Sequence, residues 1–227
     1  MKKVLCLILA VTMLISLSGC FGDNEPEDVR GDIVTQTPDQ SADITQGEAE
    51  FSLGKTANNT YNNDFLGISC TLPSEWEFYT DKQILEINNM VDDVLDEKTT
   101  EALKEADVVY DMYANCASDG SSININLEKF NVIQILALDL KQTLESQIDV
   151  IKQSYQNMGY TDINVNYQKT TVDSKEFDSL KLTAKIEGID FYGTIFSFKK
   201  SNYMANVTVC SLLTDTTDTI LSYFSIK

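Results

Sequence analysis

The sequence predicts an α+β fold over residues 51–227, a three-layer α/β/α sandwich around a mainly antiparallel sheet. Three observations point there. Strand-like segments follow one another across turns too short for a crossover, which demands antiparallel pairing. The segment 189–198 is apolar on both sides, Phe191 and Ile195 against Tyr192, Phe196 and Phe198, as in a strand covered on both faces. Helical patterns before and between the strands are available to cover it.

In chain order, Phe51–Lys55 and Thr60–Asn62 read as an extended lead-in, and Leu66–Leu72 as a strand ending at Pro73. Thr80-Asp81-Lys82-Gln83 has the spacing of a capping box. It opens a predicted helix with Ile84, Ile87, Val91 and Val94 on one face. A second helical stretch covers 100–106. Val108–Ala117 and Ser122–Phe130 flank Ser118-Asp119-Gly120-Ser121, an Asp-Gly hairpin signal. In the second arm Ile123, Ile125 and Leu127 share one face. A long helix is predicted over 138–158 on the stripe Leu140, Leu144, Ile148, Ile151, Tyr155 and Met158, and Gly159 stops it. Strands follow at 162–171, 179–186, 189–198 and 203–212, then a closing helix over 215–224 with Ile220, Leu221 and Phe224 inward.

Ahead of this domain lie two other regions. Lys2 and Lys3 precede an apolar run from Val4 to Ile15, the layout of a secretory signal. The run is shorter than the roughly 20 residues a membrane span needs. It ends at Leu17-Ser18-Gly19-Cys20, which resembles the bacterial lipobox. That resemblance implies cleavage of residues 1–19 and acylation of Cys20 by chains such as palmitate, an anchor stable once two or more chains are buried. The expected location is extracytoplasmic, on the cell membrane. Residues 20–50 read as a disordered acidic linker. From 21 to 50 there are nine acids against Arg30 alone, with Pro26 and Pro38, a composition too polar to offset the entropy of folding. The linker contains Arg30-Gly31-Asp32, an integrin-type tripeptide whose plain alternative is a solvated charge pair beside a glycine.

Charge and composition exclude several functions. The chain carries a net charge of −18, and −20 without residues 1–19, which repels phosphate backbones, so nucleic acid is not an expected partner. No histidine occurs. That removes Ser-His-Asp and Cys-His nucleophilic machinery and histidine metal sites. Of five cysteines, Cys6 belongs to the leader and Cys20 to the lipobox. Cys70, Cys116 and Cys210 are too dispersed for a zinc site and fit buried small hydrophobes, with a Cys70–Cys116 bridge left open. Nothing implies a cofactor.

Residues 61–227 resemble the PsbP/Mog-type (PsbP-like) fold, found in extrinsic photosystem subunits, a yeast Ran-binding protein and bacterial lipoproteins. The likeness is carried by Tyr61-Asn62-Asn63-Asp64-Phe65-Leu66-Gly67-Ile68 leading to Leu72-Pro73-Ser74-Glu75-Trp76, then by element order. It implies a binding or assembly module and transfers no ligand residue.

Three motifs bear on chemistry. Ser52-Leu53-Gly54-Lys55 fits S-x-x-K, but Gly54 opposes the helix that motif requires and its partner motifs are missing. Asp92-Asp93 with Asp96-Glu97, and Asp215 with Asp218, lack EF-hand spacing and suit a solvated helix face and a helix N-terminus. Tyr61, Trp76 and Tyr79 form a candidate recognition patch; the alternative is that the tryptophan plugs a sandwich edge. The expected function is a non-enzymatic lipoprotein that binds an envelope protein or an unknown small ligand. The alternatives are ligand capture for a transporter and a carboxylate-based hydrolase with paired acids in a cleft.

Overall fold

The computed structural model describes residues 50–90 and 95–227. The predicted leader, lipobox, Arg30-Gly31-Asp32 and the linker up to residue 49 lie outside the described residues, as do Val91, Asp92, Asp93 and Val94. Eleven described strands form two sheets in which every paired neighbour is antiparallel. The smaller contains β1 (Lys55–Ala57), β2 (Thr60–Asn63), β3 (Ile68–Thr71) and β11 (Phe224–Ile226), in that order. The larger comprises β4 (Trp76–Phe78), β5 (Val108–Cys116), β6 (Ser121–Lys129), β7 (Thr161–Val172), β8 (Lys175–Ile186), β9 (Ile189–Lys200) and β10 (Tyr203–Leu212). Its order is β4-β5-β6-β10-β9-β8-β7.

Two-residue turns set much of this topology. Asn58-Asn59, Asp173-Ser174 and Glu187-Gly188 all have both residues at positive φ, the twist that joins antiparallel neighbours tightly. The predicted Asp119-Gly120 turn forms too, with Gly120 at φ +76°.

The helices are shorter than predicted at two places. Helix α1 (Asp81–Ile87) opens with both halves of the Thr80–Gln83 capping box, but it ends where Asn88 donates its side-chain amide to the Ile84 and Tyr110 carbonyls. Asn89 then turns left-handed at φ +59°. Helix α2 (Glu97–Lys104) is capped by Asp96. The predicted start at residue 138 proves to be a break: α3 (Val132–Ala137) ends at Leu138 in extended geometry, and Asp139 caps α4 (Leu140–Asn157). Gly159 follows α4 at φ +90°. Helix α5 (Thr217–Leu221) is brief, and Phe224 leaves it to enter β11.

The two faces of the large sheet are covered differently. On one, Ile123, Ile125, Leu127, Phe196, Val207 and Val209 pack against Tyr61, Phe65, Ile68 and Cys70 of the small-sheet region and against Ile220 and Leu221 of α5. A helical layer is the prediction there; a sheet fills most of the role, because β2 and β3 alternate and must bury one face each. On the other face Leu144, Ile151 and Tyr155 of α4 pack against Val165, Leu180, Leu182, Phe191 and Ile195. Strand β9 therefore presents apolar side chains to both, as its sequence predicts. The described fold is thus mixed helix and antiparallel sheet.

Strands of three or four residues are marginal alone. The small sheet is fastened by Asp111, at the bulge in β5. Its carboxylate accepts from the Gly54 N–H at 2.7 Å, Tyr61 Oη at 2.5 Å and Asn63 Nδ2 at 2.6 Å. A Cβ on Gly54 would fall 2.0 Å from the Tyr61 ring, so only glycine lets that backbone approach. Burial pushes the Asp111 carboxyl up, against the pull of these three donors.

Candidate binding face

Strands β6 and β10 lie in the middle of the large sheet and are buried along nearly their whole length. The register sorts their side chains. Ser122, Asn124, Asn126 and Glu128 pair with Cys210, Thr208, Asn206 and Met204, so these eight share a face. Tyr113 of β5 stands beside Asn124, and Ser197 of β9 beside Asn206. This is the α4 face, and across β10 and β6 it turns from apolar to polar.

Part of the polar floor is internally paired. Ser197 Oγ donates to Asn206 Oδ1 at 2.6 Å, and Asn206 Nδ2 donates to Asn126 Oδ1 at 3.1 Å. That chain crosses three strands. Asn124 is the exception, wholly buried with neither Nδ2 nor Oδ1 hydrogen-bonded. Glu128 Oε2 is likewise buried and unpaired at one end of the floor. Burial, and secondarily Asp107, pushes its carboxyl up to about 7.

Helix α4 and the turn after it supply one wall. Tyr155 and Tyr160 meet edge to face, 4.9 Å between ring centres, and both hydroxyls are buried without a partner. Burial raises both phenols, so they stay protonated, able to donate and accept. On the β5 side the Tyr79 ring lies 4.7 Å from that of Tyr113. Two cations of this face are engaged: Lys199 gives its ammonium to the Ile135 and Leu138 carbonyls at the α3–α4 break, and Lys169 of β7 pairs with Asp178 at 2.9 Å. A buried polar group left unmade costs about 1–3 kcal/mol. Several such atoms lie together on this one face, all of them buried.

The predicted aromatic patch is dispersed by the fold. Tyr61 is a core residue bound to Asp111, and Trp76 is buried with its ring edge to face against Tyr223. Only Tyr79 of the three borders the polar face. Ser52 lies outside any helix and Lys55 opens β1, so the S-x-x-K segment is not helical. Asp215 pairs with Lys181 at 2.8 Å and accepts from Thr217, ahead of α5. Asp96 caps α2. Among the described residues no group of three Cys, Asp or Glu side chains is placed to hold a metal ion. Cys70, Cys116 and Cys210 are free and buried, and burial pushes the Cys70 and Cys210 thiols up to about 12. No helix of the described residues is long and apolar enough to cross a membrane.

No protein-family model matches the sequence, and no curated protein matches it. Among solved structures, the chain is similar to the crystal structure of LpqN, involved in cell envelope biogenesis of Mycobacterium tuberculosis. The identity is 7%, over 68% of this chain and 75% of that one, with a TM-score of 0.34. A likeness of that size carries no argument about function, and the PsbP-like resemblance of residues 61–227 remains a resemblance.

Proposed function

We propose that the chain is an extracytoplasmic lipoprotein, anchored to the cell membrane through acylated Cys20, and that its domain is a non-enzymatic binding module. Residues 20–50 tether it, and the partner is taken on the polar face of the large sheet. A PsbP-like sandwich serving as a scaffold for binding agrees with this reading. The observation that carries it is Asn124, a wholly buried amide with no hydrogen bond at either end. A free amide there is costly to the fold alone and useful only to a ligand that completes it.

Two measurements test the proposal. Intact-mass analysis of protein from its native host should give a chain beginning at an acylated Cys20; a leader still attached or a bare thiol refutes the anchor. A photo-reactive residue placed at position 208, on the floor, should yield a specific adduct in intact cells. The same residue at position 153, on the exposed side of α4, should yield none. Equal background at both positions refutes the binding face.

A further inference from the structure

Helix α3 reverses the usual pattern of a surface helix. Such a helix turns its apolar stripe inward. Here only Ile135 is buried, while Val132, Ile133 and Leu136 are 66%, 81% and 78% exposed. Spaced i, i+1 and i+4, they share one face. They are three of the five exposed large apolar side chains among the described residues. The face is held firmly. Asn131 and Gln134 form a capping box, and Lys199 clasps the Ile135 and Leu138 carbonyls. The Phe130 N–H donates to the Asn202 carbonyl at 2.8 Å, and Asn202 Nδ2 donates to the Phe130 carbonyl at 3.2 Å. From Phe130 to Leu138 no residue is charged, in a chain of net charge −18. Lys129, Lys199 and Lys200 lie beside this neutral segment in the sheet register, and Asp139 follows it as the cap of α4.

The described chain begins at the same end of the sheet. Glu50 meets Lys104 Nζ at 3.8 Å. The Lys104 carbonyl accepts from Lys129 Nζ at 2.8 Å, and Asn131, the cap of α3, follows shortly after Lys129. Phe51 stacks on Tyr203, 5.0 Å between ring centres, and Tyr203 pairs with both Lys129 and Lys200. A coil over residues 20–50 reaches about 30 Å, so a domain anchored at Cys20 carries α3 within range of the bilayer. Tethering gives an effective concentration in the mM range, at which even a weak contact is occupied. A second copy of the chain fits less well. Three such side chains expose on the order of 400 Å², about half of the ~800 Å² that each partner of a stable complex buries. We infer that α3 is an interfacial membrane contact, with Val132, Ile133 and Leu136 seated at the boundary between phospholipid headgroups and acyl chains. This inference rests on the anchor at Cys20 and is independent of the polar face. It gives the domain a fixed orientation to the membrane instead of free rotation on its tether.

The test uses the chain purified from its host membrane and placed in phosphatidylcholine vesicles whose acyl chains carry bromine, a quencher of tryptophan. Val132→Trp puts a reporter in the patch, and Gln153→Trp puts one on the exposed side of α4. Trp76 is buried and common to both. Seating α3 about 5–10 Å into the headgroup–acyl boundary should reduce the emission of the Val132→Trp reporter by about half and leave that of Gln153→Trp nearly unchanged. Adding Ile133→Ser and Leu136→Ser, both at exposed positions, should bring the quenching of the Val132→Trp reporter down to that of Gln153→Trp. Equal quenching at the two reporter positions overturns the inference, as does quenching that the two serines leave unchanged. An emission change in Val132→Trp that follows protein density in unbrominated vesicles overturns it too, and makes a second copy the occupant. Intact mass of the same preparation separates this inference from the anchor. Acyl chains on Cys20 without selective quenching leave the anchor standing and remove the α3 contact, whereas an unacylated chain removes both.

Discussion

The two faces of the seven-stranded sheet use the same strands for different ends. In β6, the odd residues Ile123, Ile125 and Leu127 are completely buried in the apolar core. The even residues Ser122, Asn124, Asn126 and Glu128 are buried almost as deeply but carry polar groups, some without partners. Burial alone therefore does not distinguish structure from function here. Satisfaction does. The first face is closed mainly by packing, although Thr194 Oγ1 lies unpaired in it, and the second holds more hydrogen-bonding capacity that the fold does not use. Substitutions on the two faces should accordingly move stability in opposite directions.

The largest effect belongs to the apolar face. Phe196 is wholly buried between Phe177, Phe198 and Phe224, with ring centres 5.2–6.4 Å away. Phe196→Ala should cost about 3–5 kcal/mol, the range for a large core truncation, read as a lowered denaturant midpoint in urea. Next comes the latch between the sheets. Asp111→Ala strands the Tyr61 hydroxyl and the Gly54 N–H and should cost about 2–4 kcal/mol. Hydrogen exchange should quicken in β2 and β3 before it does in β6 and β10. Uniform loss of protection would show that the small sheet is not separately fastened.

Glu128 sharpens the contrast through pH. Its folded carboxyl titrates near 7 against an ordinary 4.5. Below about 4.5 both folded and unfolded states hold the proton and nothing is lost. As pH rises from there to 7 the unfolded chain ionises first, so stability falls, and the deficit persists above 7. Allowing for solvent near the carboxyl, the loss is about 2 kcal/mol. Other acids oppose it, since Asp178 and Asp215 are held below the usual range beside Lys169 and Lys181 and lose stability as pH falls. The difference between the parent and Glu128→Gln isolates the term. It should be close to zero at pH 4 and grow toward pH 7.5; a flat difference refutes the shifted carboxyl.

Much of the scaffold was legible because its signals are local. Thr80–Gln83, Asp119-Gly120 and Gly159 all act where the sequence puts them. Strand β8 starts four residues before its predicted beginning because Asp173-Ser174 forms a left-handed pair without glycine, a turn with no strong residue signature. The small sheet was read only as a lead-in and a strand, since its closing strand, β11, comes from the far end of the chain. The polar face was not legible for a subtler reason. Alternation in 122–128 reads equally well as a polar face toward solvent, and only the tertiary fold buries it. One trace was available: Asn124, Asn126 and Asn206 are asparagines inside strands, where that residue is depleted. The aromatic patch misled because Tyr61 and Trp76, close in sequence to Tyr79, are both buried in the apolar core, and only Tyr79 is left partly exposed.

The smallest predicted change is the most diagnostic, because its sign is opposite to that of the other two truncations. Asn124→Leu replaces an amide that makes no hydrogen bond with a side chain of similar size that needs none. An amide serving the fold would be missed, and the variant would lose about 1–3 kcal/mol. An amide held in reserve for a ligand is a burden to the empty protein, and removing it should leave stability unchanged or raise it by about 1 kcal/mol. Thermal unfolding of parent and variant without ligand separates the cases. A stabilised Asn124→Leu that has also lost binding would show the exchange of stability for function at a single position, whereas a destabilised one would return Asn124 to the structural core.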